Sequence, residues 1–110
     1  MTYELGGLVL SQKESGERHL VSFCGEIDLA NATAVRDELL AIAESTVVVD
    51  LGEVSFLDAA GLAGLLQAKQ KSEAGGNAIR FVNAPRAVCR VLEITGTTQL
   101  LLADEAGAEE

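Results

Sequence analysis

Tryptophan is absent, aromatic residues make up only 4%, and 8 Lys and Arg face 17 Asp and Glu. A chain this poor in cations cannot neutralise a phosphate backbone. Nucleic acid and an anionic membrane surface are therefore excluded as partners. With His19 as the only histidine, no His-cluster metal site can be built. Cys24 and Cys89 lie far apart and form no CxxC pair, so they read as two small buried thiols in a reducing compartment. Long apolar runs are missing too. The run Ala59 to Leu66 falls far short of the roughly 20 residues of a membrane span. Met1-Thr2-Tyr3-Glu4 has neither a basic nor an apolar leader segment, so the expected location is cytoplasmic, without membrane insertion.

Catalytic and cofactor motifs are also lacking. No GxxxxGK[ST] loop, GxGxxG fingerprint, HExxH or GxSxG occurs, so the sequence predicts no cofactor and no metal. Glu26 and Asp28 could form a carboxylate pair, but no His base or aromatic platform stands near them in sequence. A small nucleotide-binding or hydrolytic domain is the alternative that the missing phosphate loop disfavours. What is present is a 48% hydrophobic chain of 110 residues, enough for one domain with its own core. A formal net charge of −9 accompanies it.

Hydrophobic periodicity switches along the chain. Leu8 to Leu10 and His19 to Cys24 read as strands of an antiparallel hairpin, joined by the polar turn Lys13 to Glu17. Ala32, Val35, Leu39, Ile42 and Ala43 then mark one face of a helix over Ala30 to Glu44. Thr46 to Asp50 is a β-branched run that suits a strand covered on both faces. A helix follows from Asp58 to about Glu73, with Leu62, Leu65 and Leu66 inward and Gly75-Gly76 ending it. Ala78 to Val82 is another strand. Pro85 opens a helix that Gly96 closes, and Leu100 to Leu102 read as a last short strand. The order β-β-α-β-α-β-α-β indicates an α/β fold with a mixed, mostly parallel sheet of about four to five strands and three to four helices. Residues 1–103 form a single domain, and 104–110 form an acidic tail, disordered or opening a further helix.

Val49 to Leu66 stands out. Val54, Phe56 and Leu57 read as tucked into a loop, and Asp58 as the cap of the following helix. Ala59, Ala60 and Gly61 leave that helix start nearly bare. Small residues here suit either close packing on the sheet or close approach by a partner's backbone or a phosphate. Asp28 and Asn31 are placed to cap the first helix, to contact a partner, or both, and Glu53 reads as a solvated turn residue.

Leu-Gly-Glu-Val-Ser-Phe-Leu-Asp-Ala-Ala-Gly-Leu, ending at Leu62, resembles the signature of the STAS family, best known as bacterial anti-sigma factor antagonists. Gly25-Glu26-Ile27-Asp28 is similar to that family's end of the second strand. Ala84 to Leu92 resembles its third helix, and Ile94-Thr95-Gly96 its exit. The resemblance implies a protein-binding module and not an enzyme. Its implied partner is an anti-sigma factor that is also a serine kinase of the histidine-kinase-like ATPase fold. In that family the kinase phosphorylates a Ser directly after the motif Asp and so breaks the complex, and a PP2C-type phosphatase restores it. Here that position is Ala59, followed by Ala60, and neither carries a hydroxyl. The resemblance therefore implies a constitutive binder, monomeric when free, or a phosphorylation-blocked variant. It also allows a STAS subunit of a larger assembly, such as a stressosome-like scaffold or a lipid-transport ABC complex. The implied docking face is the Asp58–Leu62 helix start (Asp58, Ala59, Ala60, Gly61, Leu62) with Ser55 and the loop residues Glu26, Asp28 and Asn31. Ser55 is implied to be a buried-side loop residue and not the phosphoacceptor.

Overall fold

In the computed structural model, which describes residues 1–42 and 46–102, strand and helix alternate after an all-strand opening. The elements are β1 (Thr2–Leu5), β2 (Leu8–Ser15), β3 (Arg18–Ile27), α1 (Ala32–Ile42), β4 (Thr46–Leu57), α2 (Ala59–Ala74), β5 (Ala78–Val82) and α3 (Arg86–Thr95). The strands form a 5-stranded sheet in sequential order β1-β2-β3-β4-β5. β1, β2 and β3 pair antiparallel, whereas β3-β4 and β4-β5 pair parallel.

This arrangement follows from connection length. Short turns after Leu5 and Ser15 allow only hairpins, while α1 and α2 span the distance needed to bring the next strand back parallel. Both crossovers step in the same direction along the sheet, and right-handed crossovers in one direction put their helices on one face. Strand burial agrees. Leu8, Leu10, Val21, Phe23, Val47, Val49, Leu51, Ile79 and Phe81 are buried in the core beside Val35, Leu39, Leu62, Leu65, Val88 and Leu92.

Several expectations change. β1 lies outside the expected order; its four residues are too few to show periodicity in sequence, and it is recognised only by pairing with Leu8–Ser11. β4 is covered on one face only: Val47 and Val49 are fully buried, but Val48 between them is half-exposed on the open side. Cys24 is exposed instead of buried, because alternation along β3 sends Phe23 to the core and Cys24 to that open side. Residues 98–102 are helical and not a last strand. Their Leu101 reaches the core from this helix, a placement that a short apolar run cannot distinguish from a strand. Pro85 is the N-cap of α3, one position before the expected first turn. Ala43 and residues 103–110 lie outside the described residues.

Candidate functional site

The residues singled out in the sequence meet where β3 and β4 end and α1 and α2 begin. Pairing between the two strands slips there. Gly25 faces Val54, but the next pair is Glu26 with Phe56, which leaves Ser55 without a position opposite on β3. Such a bulge bends the strand and re-aims its side chains. Ser55 and Phe56 are consequently both exposed between buried Val54 and Leu57. Phe56, expected to be tucked into a loop, lies in β4 and is 45% exposed. Ser55 likewise faces solvent instead of the buried side.

The loop between β3 and α1 is closed by its own polar groups. Asp28 Oδ1 accepts from the Ala30 N–H at 3.0 Å. Asn31, only 3% exposed, donates from Nδ2 to the Glu26 carbonyl at 2.9 Å and accepts from the Asp28 N–H at 3.0 Å. The Asn31 side chain therefore reaches back to close the turn and does not cap α1. Its side-chain amide uses one N–H and its carbonyl oxygen on these contacts.

Asp58 joins this loop to α2. Its Oδ1 accepts from the Gly61 N–H at 2.7 Å, satisfying a free donor of the first helical turn. Its Oδ2 accepts from the Leu29 N–H at 3.1 Å. One carboxylate thus holds two chain segments together. The helix packs close because its facing residues lack side chains. A Cβ on Gly61 would stand 2.5 Å from the Ile27 carbonyl oxygen, and one on Gly64 2.8 Å from that of Ala32. Both glycines serve close packing. Leu62 is buried in the core beside them.

Of the expected site residues, the structure brings all to this end of the sheet but divides them by exposure. Glu26, Ser55 and Ala59 are exposed, Asp28, Asp58 and Ala60 are half-buried, and Asn31, Gly61 and Leu62 are buried. Leu29 escaped the sequence reading altogether, yet it is 78% exposed. No local signal marks it, because it lies between Asp28 and Ala30 and meets Asp58 only across 29 positions. Beside it, a groove of about 210 Å³ between α1 and α2 is lined by Leu29, Thr33, Arg36, Ala60, Ala63 and Gln67, among others. Arg36 spans part of it, donating to Gln67 Oε1 at 3.0 Å and pairing with Asp37. Among the described residues, no group of three or more His, Cys, Asp and Glu could hold a metal ion, and no helix is long and apolar enough to cross a membrane.

Comparison with known proteins agrees with this architecture. A family model described as "Mlab, STAS domain" matches residues 10–103. The anti-sigma-B factor antagonist of Bacillus subtilis (strain 168) is 26% identical over 83 residues, 74% of this chain and 76% of that protein. An anti-sigma factor antagonist from Mycobacterium paratuberculosis superposes with a TM-score of 0.73 at 25% identity, covering 86% of this chain and 82% of that one. The unphosphorylated anti-sigma factor antagonist SpoIIAA, at 18% identity, shares the fold with a TM-score of 0.68 over 84% of this chain and 85% of its own. The mixed sheet, the Asp58-capped helix start and a family match across most of the sequence lead to one conclusion: the chain belongs to the STAS domain family.

Proposed function

We propose that this chain is a non-enzymatic protein-binding module that engages an anti-sigma factor with serine kinase activity, and that it binds without being switched off by phosphorylation at the α2 start. The carrying observation is the exposed Ala59 directly after a doubly bonded Asp58 cap. This position follows a rigid carboxylate and faces solvent, as a kinase acceptor must, yet it has no oxygen to accept a phosphoryl group. In a hydroxyl-bearing relative, phosphate would add about −1.5 to −2 charge next to that carboxylate and repel a partner. Alanine removes that device. Incubation with each histidine-kinase-like serine kinase of the source genome and labelled ATP should leave the native chain unlabelled but still bound. The Ala59→Ser variant should be labelled and released. Stoichiometric labelling of the native chain, at Ser55 or elsewhere, would overturn the fixed-binder reading.

A second reading is favoured by the description of the matching family model, "Mlab, STAS domain". Under it, the module is a fixed subunit of a lipid-transport assembly, where no phosphoryl switch is needed. Light scattering and co-purification separate the two: a monomer that forms a complex only with a kinase supports the first, and stable incorporation beside a transporter ATPase supports the second.

A further inference from the structure

We infer that Leu29 and Phe56 are apolar anchors of the docking face, and that they fit a partner protein presenting apolar surface rimmed by Lys or Arg. This rests on the reading above that this end of the sheet docks a protein. It adds the residues that hold the partner and the chemistry the partner must show.

Among the described residues, five large hydrophobics are exposed: Met1, Leu29, Phe56, Ile94 and Leu100. Ile94 lies in α3 and Leu100 in the helical residues 98–102. Leu29 and Phe56 instead both neighbour Asp58, one through a backbone hydrogen bond and the other along the chain. The Leu29 N–H is bonded to the Asp58 carboxylate, and Phe56 precedes Asp58 by two positions in the chain. The fold gives neither side chain work to do. Leu29 contributes its backbone N–H to Asp58, which any residue but proline could supply. Phe56 faces outward only because the bulge at Ser55 shifts the register of β4. Exposed apolar side chains carried on an ordered backbone spare a partner the cost of ordering that backbone, so that only their own rotamers are fixed on binding.

Charge selects the occupant. Glu26 and Glu53 are exposed and Asp28 and Asp58 half-buried at this same end of β3 and β4, since Glu26 pairs with Phe56 and Glu53 with Cys24. The Arg36 guanidinium by the groove is engaged by Asp37 and Gln67. Apolar side chains within such a rim oppose a second copy of this chain, which would bring the same carboxylates together. They match apolar surface bordered by cations.

The test uses the full chain and the purified serine kinases of the source genome, titrated calorimetrically. For any kinase that binds, Leu29→Ala and Phe56→Ala should each weaken binding by about tenfold or more, while Ile94→Ala and Leu100→Ala stay within about twofold. Phe56→Leu keeps an apolar anchor and should recover most of the loss, which separates lost contact from a disturbed bulge. Urea midpoints of all variants should match the native chain. A kinase that binds Leu29→Ala and Phe56→Ala as tightly as native overturns the anchor assignment and leaves the docking reading standing. Failure of every kinase to bind the native chain overturns the docking reading and the anchors with it.

Discussion

Asp58 accepts from two backbone N–H groups that belong to different segments, one on α2 and one on the β3–α1 loop. Removing its carboxylate frees both donors at once. Asp58→Ala should therefore cost about 1–2 kcal/mol in urea unfolding, the range for loss of a helix cap. Asp58→Asn turns an NH₂ toward one of the two donors and should fall between native and Ala. Amide exchange at Leu29 and Gly61 should rise in both variants. If it rises at Gly61 alone, the bridge to the loop is not holding that loop. Asp58 and Ala59 could be placed from sequence because capping is local: a carboxylate before a run of small residues declares a helix start. Leu29 could not, since its neighbour across the turn is 29 positions away in the chain.

At the scale of elements, α2 sits against the β3–α1 loop through Gly61 and Gly64, which meet backbone carbonyls and not yielding side chains. Gly61→Ala should destabilise by about 1–3 kcal/mol, because neither the Ile27 carbonyl nor the helix can shift freely. Gly64→Ala should do the same against Ala32. Gly75→Ala, where a Cβ would meet only ordinary 3.7 Å contacts, should stay within about 0.5 kcal/mol of native. Equal effects at all three would show that helix packing is not the cause.

A second tie links the hairpin strands to α1. His19 Nε2 bonds to Gln12, Gln12 Nε2 donates to the Tyr3 hydroxyl at 2.7 Å, and Tyr3 donates to Glu38 Oε2 at 2.8 Å. Burial and the Glu38 carboxylate raise the Tyr3 phenol from 10.0 to about 12. The unfolded chain therefore loses this proton first. The associated stability is whole below pH 10 and disappears as pH climbs through about 12. Tyr3 is the only tyrosine and no Trp interferes, so phenolate absorbance reads it directly. Tyr3→Phe should lose about 1 kcal/mol at neutral pH and show a smaller stability loss than native across that alkaline window. An unshifted phenolate titration would remove Glu38 and burial as the cause.

For the molecule as a whole, one sheet with helices on a single face leaves two unlike surfaces. Val49 is fully buried under the helices and Val48 lies half-exposed on the other side. Thr is nearly isosteric with Val, so Val49→Thr should cost about 1–3 kcal/mol for a buried hydroxyl without a partner. Val48→Thr should cost less than about 0.5 kcal/mol. Comparable losses from the two would mean that the open side is covered in solution. The run Thr46-Val47-Val48-Val49 carries no such distinction in sequence, because both side-chain orientations are apolar. It took the placement of α1 and α2 on one side to assign inside and outside.

Local physics along the chain accounts for the alternation of strand and helix, the helix ends at Asp58, Gly75 and Gly96, and an acidic surface unsuited to phosphate backbones. The sequence by itself also carried the motif order that resembles the STAS family. Tertiary structure alone decided what depends on residues far apart in the chain. The slip between β3 and β4 exposes Phe56, since a bulge is a property of two paired strands and not of one. Close approach of α2 to the loop makes Gly61 and Gly64 packing residues. Coverage of one sheet face leaves Cys24 and Val48 toward solvent, and Leu101 enters the core from a helix, which a short apolar run does not reveal.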